Sequence, residues 1–515
     1  MTTVDIPRTV AGTDPRTGLT LRPAVAETRP ATVAQIIEAA EAVAPELAAL
    51  GRGGRAALLR GLADAIEARR SDLVTIADSE TALGAPRLGS EITRTAFQLR
   101  FFADVLDEGS YLEATIDTAA DTPTGPRPDL RRLLVPIGPV AVFGASNFPF
   151  AFSVPGGDTA SALAAGSPVV VKAHGSHPGT SQLVYEILAA GLRSAGAPAE
   201  TIGIVFGRAA GETLVSHPAI RAVGFTGSLS GGRALLEAIG RRDEPIPFYG
   251  ELSSLNPLVV TAAAAAERAE QIGGAVIRSV TGSAGQLCTK PGLLLVPAGA
   301  DGDQLVAAAA SALGNAPVVP LLNDRIHRSY VHDTAVLAAA PGVLEVARAS
   351  REAESGFHVG ALLVTADAPD VPSVVFDEYF GPAAVIIRYR TTDELMRVLK
   401  SAPASLTATL HTGSGETPAE LVTALGRVAG RIVFDGYPTG VSVSWAQHHG
   451  GPWPATNSFH TSVGATAIRR FLRPLTWQNA PQGLLPVELR DGSVDIPRRI
   501  DGAIHLPRTG TPRVL

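Results

Sequence analysis

Between Thr32 and Leu73 the apolar residues recur every three or four positions: Val33, Ile36, Ile37, Ala40 and Val43, then Leu58, Leu59, Leu62 and Ile66. That spacing puts them on one helical face and predicts helices here, with a further helix over about Gly89–Val105. Leu112–Leu134 breaks the pattern. It is polar, contains Pro123, Pro126 and Pro128, and reads as an excursion from the core. From Val135 short apolar strands alternate with helices. The predicted strands are Val140–Phe143, Val169–Val171, Ile202–Val205 and Ala222–Phe225, with a helix near His177–Ala190. A second set follows at Leu258–Val260, Leu293–Val296, Val385–Ile387 and Arg431–Val433, with a long Ala-rich helix reaching about Val280. This order predicts an α/β fold of doubly wound parallel sheets, which bind ligands beyond the carboxyl ends of their strands. The Pro- and Arg-rich tail after Pro481 suits a strand that pairs with the excursion or with another subunit.

The chain of 515 residues is 45% apolar, enough for two or three domains, and its net charge of -6 is spread along it. That balance argues against nucleic acid as a partner. No apolar stretch suits a membrane span, and Met1–Thr20 lacks a signal-peptide pattern. A cytoplasmic setting is expected. Cys288 is the one cysteine, so an intrachain disulfide and a cysteine metal cluster are both excluded, and no metal is expected. A lone thiol is either a small buried hydrophobe or a nucleophile. Of 43 Lys and Arg residues only Lys172, Lys290 and Lys400 are lysines. A lysine retained against such a bias marks sites that want a compact ammonium. Lys172 and Lys290 fall in motif-like segments.

Five segments stand out: Ser146-Asn147-Phe148-Pro149-Phe150; Phe225-Thr226-Gly227-Ser228, with Gly232 beyond; Glu251-Leu252-Ser253-Ser254-Leu255-Asn256-Pro257; Gly285-Gln286-Leu287-Cys288; and Glu378-Tyr379-Phe380-Gly381-Pro382. In this order and spacing the chain resembles the aldehyde dehydrogenase superfamily, from roughly Ala31 to Leu475. The resemblance implies two doubly wound parallel-sheet domains plus a small β excursion for oligomerisation. Residues 1–111 and 135–252 would form the dinucleotide-binding domain, and 253–440 the catalytic domain. Residues 112–134 and 481–515 would be oligomerisation strands, and 441–480 a return to the cofactor domain. A homodimer or homotetramer is expected.

The resemblance also assigns roles. Cys288 is the nucleophile that makes a thiohemiacetal and then a thioester. The Asn147 amide and the Cys288 backbone N–H match the oxyanion donors. Glu251 matches the general base that activates water and helps to deprotonate Cys288. Its presence favours hydrolysis to a free acid over transfer to coenzyme A. No Gly-x-Gly-x-x-Gly follows a predicted strand. The family instead meets the pyrophosphate at the turn matching Thr226, Gly227 and Ser228. Glu378 and Phe380 match positions at the nicotinamide ribose and ring, and Lys172 one at the adenosine ribose. Many NAD-using members carry a glutamate where this chain has Gly175. Glycine leaves room for a 2′-phosphate, and Arg208 is placed to pair with it. NADP is therefore expected, with NAD possible.

The run Gln447-His448-His449-Gly450-Gly451-Pro452-Trp453-Pro454 resembles the α-ketoglutarate semialdehyde (2,5-dioxopentanoate) dehydrogenases, with NADP-dependent fatty aldehyde dehydrogenases nearby. A carboxylate-bearing substrate needs a cation. Arg94 falls at a tunnel-lining position in the family's register, with Gln98 four residues on to assist. Phe148 and Phe152 would be apolar walls, and Lys290 is a second candidate cation. Two alternatives stay open: the fatty aldehyde reading, and a cysteine acyl-transferase or hydrolase that would need a histidine. No histidine occupies a motif near Cys288 in the sequence.

Overall fold

The computed structural model describes residues 8–349, 355–368, 371–492 and 495–507. Three helices, Pro30–Ala49, Gly51–Ala68 and Arg70–Thr81, occupy the first periodic stretch. Val33, Ile37, Leu59, Leu62 and Ile66 point into the core as the spacing predicts. The next helix is longer than predicted, Ala85–Glu108. It begins with Pro86 in its first turn, where the missing N–H costs nothing, and ends at Gly109 in the left-handed region.

One sheet has five parallel strands. Their order across the sheet is Phe248–Glu251, Ala222–Thr226, Val140–Phe143, Val169–Lys172 and Ile202–Val205. Val140–Phe143 is buried at every position, as a strand covered by helices on both faces must be. The second sheet has seven strands. Leu344–Arg348 lies antiparallel at one edge, followed by Leu362–Asp367, Ala383–Tyr389, Leu293–Pro297, Pro257–Val260, Ser405–His411 and Ala429–Phe434, all parallel. Separate apolar clusters cover its two faces. Each Leu, Ile or Val buried there contributes about 1.5–3 kcal/mol.

The excursion forms a third sheet, ordered Leu472–Gln478, Leu130–Pro136, Thr115–Asp117, Arg498–Ile500 and Ala503–His505. The tail thus pairs with the excursion of its own chain, Arg499 opposite Thr115 and Ile500 opposite Ile116. Ala465, Ala467, Ile468 and Phe471 pack into the apolar core of the five-stranded sheet, but the strand Leu472–Gln478 that follows does not join that sheet. It pairs antiparallel with all seven residues of Leu130–Pro136 and extends the third sheet instead. The tail residues 508–515 lie outside the described residues. Among the described residues no helix is long and apolar enough to cross a membrane.

Candidate active site

The sequence-predicted residues gather between two sheet edges. Lys172 ends the strand Val169–Lys172, Thr226 ends Ala222–Thr226 and Glu251 ends Phe248–Glu251. Asn147 follows Val140–Phe143, and Arg208 opens the helix after Ile202–Val205. These are carboxyl ends of the five-stranded sheet, where doubly wound folds bind ligands. Cys288 and Glu378 come from the opposite side, on loops that lead into Leu293–Pro297 and Ala383–Tyr389 of the seven-stranded sheet.

The loop under Cys288 is pinned from several directions. Asn256, in the left-handed region, donates from Nδ2 to the carbonyls of Cys288 at 2.8 Å and Lys290 at 2.9 Å. Its Oδ1 accepts from the Ser254 hydroxyl, the Thr407 N–H and the Thr407 hydroxyl. The buried Lys290 donates from Nζ to the carbonyls of Tyr379 at 2.7 Å, Gly381 at 3.2 Å and Ala383 at 2.8 Å. Gly285, also left-handed, comes so close to the Gly381 carbonyl that a Cβ would lie 2.2 Å from its oxygen. The nucleophile loop and the Glu378–Pro382 loop are therefore clamped together. Lys290 is not a substrate cation: all three of its protons are committed to backbone. Burial pulls its ammonium down to about 8, and the Glu378 carboxylate opposes that shift. Burial raises Glu378, while the Ser253 hydroxyl, donating at 2.6 Å, and Lys290 hold it down.

Above the loop stands a histidine. His449 Nε2 lies 3.6 Å from Cys288 Sγ and 3.0 Å from Glu251 Oε1. No motif near Cys288 in the sequence holds a histidine, and the fold supplies one from a distance. His449 is 161 residues away in the chain, and the segment from Gly450 to Ser462 that crosses back to the first sheet delivers it. Its imidazole is fully buried, and its backbone N–H donates to the Thr461 hydroxyl at 2.7 Å. The Ser462 hydroxyl donates to Glu251 Oε2 at 2.8 Å. Burial alone would raise Glu251. His449, Ser462 and the Cys288 thiol outweigh it, and the carboxyl is held below its ordinary value. Burial and then the Glu251 charge push the thiol well up. The resting pair is thus a carboxylate accepting from a thiol, with Nε2–H of His449 donating to the carboxylate.

Asn147 is buried, and Nδ2 donates to the Gln286 carbonyl at 2.8 Å, two residues before the nucleophile. A primary amide has two N–H groups, so one remains for an oxyanion. Cys288 opens onto a cavity of about 480 Å³ lined by Arg87, Arg94, Phe148, Phe152, Tyr437 and Val441 among others. The Arg94 guanidinium stacks over Phe152 at 5.2 Å, and that of Arg87 over Phe148 at 4.8 Å. Arg87 Nη2 donates to the Asn147 carbonyl at 2.7 Å, and Arg94 Nη2 reaches the Val441 carbonyl at 3.4 Å. Nη1 of each is buried without a protein hydrogen bond. Gln98 is not in this wall. One turn past Arg94 the helix surface has rotated into the core, and Gln98 is 1% exposed, against Gly157.

On the cofactor side, Ser228 caps the helix Leu229–Gly240, its hydroxyl accepting from Gly231 N–H at 3.2 Å. Gly175 faces open space: a Cβ there would meet only Val10 Cγ1, at 4.0 Å. Arg208 is exposed, and among the described residues its guanidinium makes no hydrogen bond or ion pair. Burial lowers Lys172. Phe380 is half-buried against the apolar cluster under the second sheet. A helix N-terminus, an ammonium and an open glycine cradle at one edge fit a dinucleotide phosphate and ribose.

Sequence reasoning missed His449, Arg87 and the clamp formed by Lys290 and Asn256. Three of these left a trace: His449 and Asn256 stand inside quoted motifs, and Lys290 is one of three retained lysines. Arg87 left none.

The aldehyde dehydrogenase family profile matches residues 5–453. The chain is 47% identical to alpha-ketoglutaric semialdehyde dehydrogenase 2 of Azospirillum brasilense over 458 residues, 87% of each chain. It is 40% identical to alpha-ketoglutaric semialdehyde dehydrogenase of Acinetobacter baylyi over 461 residues, again 87% of each. In fold it is similar to aldehyde dehydrogenase C of Pseudomonas syringae, solved with NAD+ and octanal. That match has a TM-score of 0.79 at 20% identity and covers 93% of this chain and 95% of that one. A sequence match over most of its length, on a fold that brings a cysteine, a glutamate and a nicotinamide-dinucleotide edge together, makes this chain a member of the aldehyde dehydrogenase family, an oxidoreductase acting on aldehydes.

Proposed function

We propose that the enzyme oxidises α-ketoglutarate semialdehyde (2,5-dioxopentanoate) to 2-oxoglutarate. The observation that carries this is the pair of guanidiniums, Arg87 and Arg94, in the cavity wall beside Cys288, each with a buried Nη1 that makes no protein hydrogen bond, that of Arg87 lying 3.7 Å from the Glu91 carboxylate. A buried unpaired donor is costly unless a ligand satisfies it. A carboxylate at the far end of a short aldehyde is such a ligand, and the two relatives above carry this substrate in their names. A long uncharged chain would leave the Arg94 donor orphaned.

The chemistry follows from the resting charges. Glu251 accepts the Cys288 proton as Sγ attacks the aldehyde carbon. His449 and Ser462 hold the carboxylate in place and keep it ionised until then. The remaining Asn147 N–H is placed for the oxyanion. When bound, the nicotinamide cofactor supplies the hydride acceptor, with Lys172, Thr226, Gly227, Ser228, Glu378 and Phe380 as the residues to hold it. Glu251 passes that proton to solvent and, ionised again, takes a proton from the water that attacks the thioester; the C–S bond breaks, the thiolate is reprotonated and the acid leaves. The open Gly175 and the unengaged Arg208 favour NADP over NAD.

The third sheet supports a homodimer or homotetramer. Its end strand Ala503–His505 is exposed throughout, and Ile504 and Leu506 lie on the surface. Unpaired edges of this kind invite strand pairing. A single thiol that must stay reduced suits a cytoplasmic setting. Following reduced-nicotinamide absorbance with semialdehydes, long aliphatic aldehydes and both cofactors tests the whole reading. Preference for a long uncharged aldehyde would replace it with the fatty aldehyde alternative. Cofactor-independent thioester cleavage without aldehyde oxidation would replace it with a hydrolase.

A further inference from the structure

The ligand atoms of Cys288, Glu251 and His449 all lie within 4.8 Å of one another. The sulfur–nitrogen separation is 3.6 Å and the nitrogen–oxygen separation 3.0 Å. A tetrahedral zinc ion with ordinary bonds to sulfur, nitrogen and oxygen needs such edges to be about 3.3–3.7 Å. The sulfur–nitrogen and nitrogen–oxygen edges match that spacing to within a few tenths of an ångström, and the sulfur–oxygen edge lies within 4.8 Å, a gap that side-chain rotation can close. They belong to three distant segments, so the match is a property of the fold. Cys288 opens onto the substrate cavity, which gives an ion a way in and leaves space for water as a fourth ligand.

We propose that Cys288, Glu251 and His449 form a binding site for a thiophilic divalent metal ion, zinc in particular, which reversibly inhibits the enzyme by capping its nucleophile. Mixed thiolate, imidazole and carboxylate donors select zinc over magnesium or calcium, which take oxygen ligands. On binding, Zn–S, Zn–N and Zn–O bonds form. The Sγ–H bond breaks and its proton goes to solvent. The Nε2 proton is exchanged through solvent onto Nδ1, and no oxidation state changes. Zinc withdraws charge from the capped sulfur and stands between it and an incoming aldehyde carbon, so attack is suppressed.

The surroundings decide between a resident and a passing ion. Glu251 has an outer hydrogen bond from Ser462 at 2.8 Å. His449 Nδ1 has no protein partner, whereas the histidines of resident sites almost always donate that N–H to a protein or water acceptor. The site is therefore built for catalysis and open to zinc as an inhibitor, with an affinity that chelators overcome.

The test reads binding rather than turnover, so it stands or falls separately from the substrate assignment. Reduced, metal-free enzyme is titrated with zinc against a chromophoric chelator. One zinc per chain is expected, with affinity falling at least tenfold in each of Cys288→Ser, Glu251→Gln and His449→Asn and unchanged in His448→Asn. Cobalt added to the unmodified enzyme should give a thiolate charge-transfer band and the intense visible bands of four-coordinate cobalt. This arm keeps the proposal decidable if a buried-site variant fails to fold. Zinc affinity lost only with Cys288 would mean simple thiolate capture and overturn the three-residue site. Affinity retained without Cys288, or a cobalt spectrum without the thiolate band, would overturn it as well.

Discussion

The floor beneath Cys288 and the cavity wall above it are built on opposite terms. In the floor, Asn256 uses both ends of its amide in five hydrogen bonds and Lys290 spends all three protons on carbonyls. In the wall, the buried Nη1 of Arg87 and that of Arg94 make no protein hydrogen bond, although Glu91 lies 3.7 Å from that of Arg87. A saturated network fixes one geometry, which a nucleophile needs. Leftover donors are an affinity held in reserve for a ligand. Rigidity and unmet bonding capacity therefore mark two functions within one site.

The largest effect belongs to the atoms that meet at the boundary. Cys288→Ala is expected to abolish turnover and leave dinucleotide affinity nearly intact, measured by steady-state rates and cofactor titration. Glu251→Gln should give a single burst of reduced cofactor and then stall at the thioester. Full steady-state activity in either variant would remove the covalent mechanism.

The wall comes next. Arg94→Ala should lower the specificity constant for a carboxylate-bearing semialdehyde by some 30- to 1000-fold, the equivalent of about 2–4 kcal/mol. An uncharged aldehyde of similar length should be almost unaffected. Equal loss on both substrates would make the wall a second floor, and the comparison would fail.

A floor variant should show the reverse signature. Asn256→Ala should cut kcat about 100-fold for both aldehydes alike, because the nucleophile is misplaced for any substrate. It should also lower the midpoint of urea unfolding. A selective loss on the charged substrate would contradict the assignment of Asn256 to positioning.

The cofactor edge resembles the wall in its open space and exposed charge. Gly175→Glu should weaken NADP by about 10- to 100-fold relative to NAD, since a carboxylate would face the 2′-phosphate. Arg208→Ala should raise the Michaelis constant for NADP alone by a smaller factor. Equal changes for both cofactors would refute the preference.

The smallest effect is electrostatic. With its thiol pushed above the ordinary range, Cys288 should be alkylated by iodoacetamide at a rate still rising where a free cysteine has levelled off. Arg94 lowers that thiol, so Arg94→Met should move the alkylation profile further to alkaline pH. An unchanged profile would show that the two sides of the boundary are uncoupled.

The sequence by itself determined the parts that depend on local pattern. Apolar runs such as Val140–Phe143 and Val169–Val171 identify buried parallel strands, because only a strand covered on both faces is apolar throughout. The motifs around Cys288, Glu251 and Asn147 were legible because each is short and contiguous. The strand Ser405–His411 was not predicted. It carries Ser405, Thr407 and Thr409 among seven buried positions, and polar residues read as surface until a partner is known. That partner is Asn256, 151 residues away from Thr407. Leu362–Asp367 and Phe248–Glu251 were missed as well, the latter with Gly250 and Glu251 in a strand of only four residues.

Only the tertiary structure decided that His449 meets Glu251 and Cys288, that Arg87 joins Arg94, and that Lys290 faces backbone rather than substrate. It also turned Gln98 away from the cavity. Burial periodicity is written into neighbouring residues, since each helix or strand must hide one face. A hydrogen bond between residues 89, 151 or 198 positions apart is set by where the chain crosses itself, and no local pattern encodes that crossing.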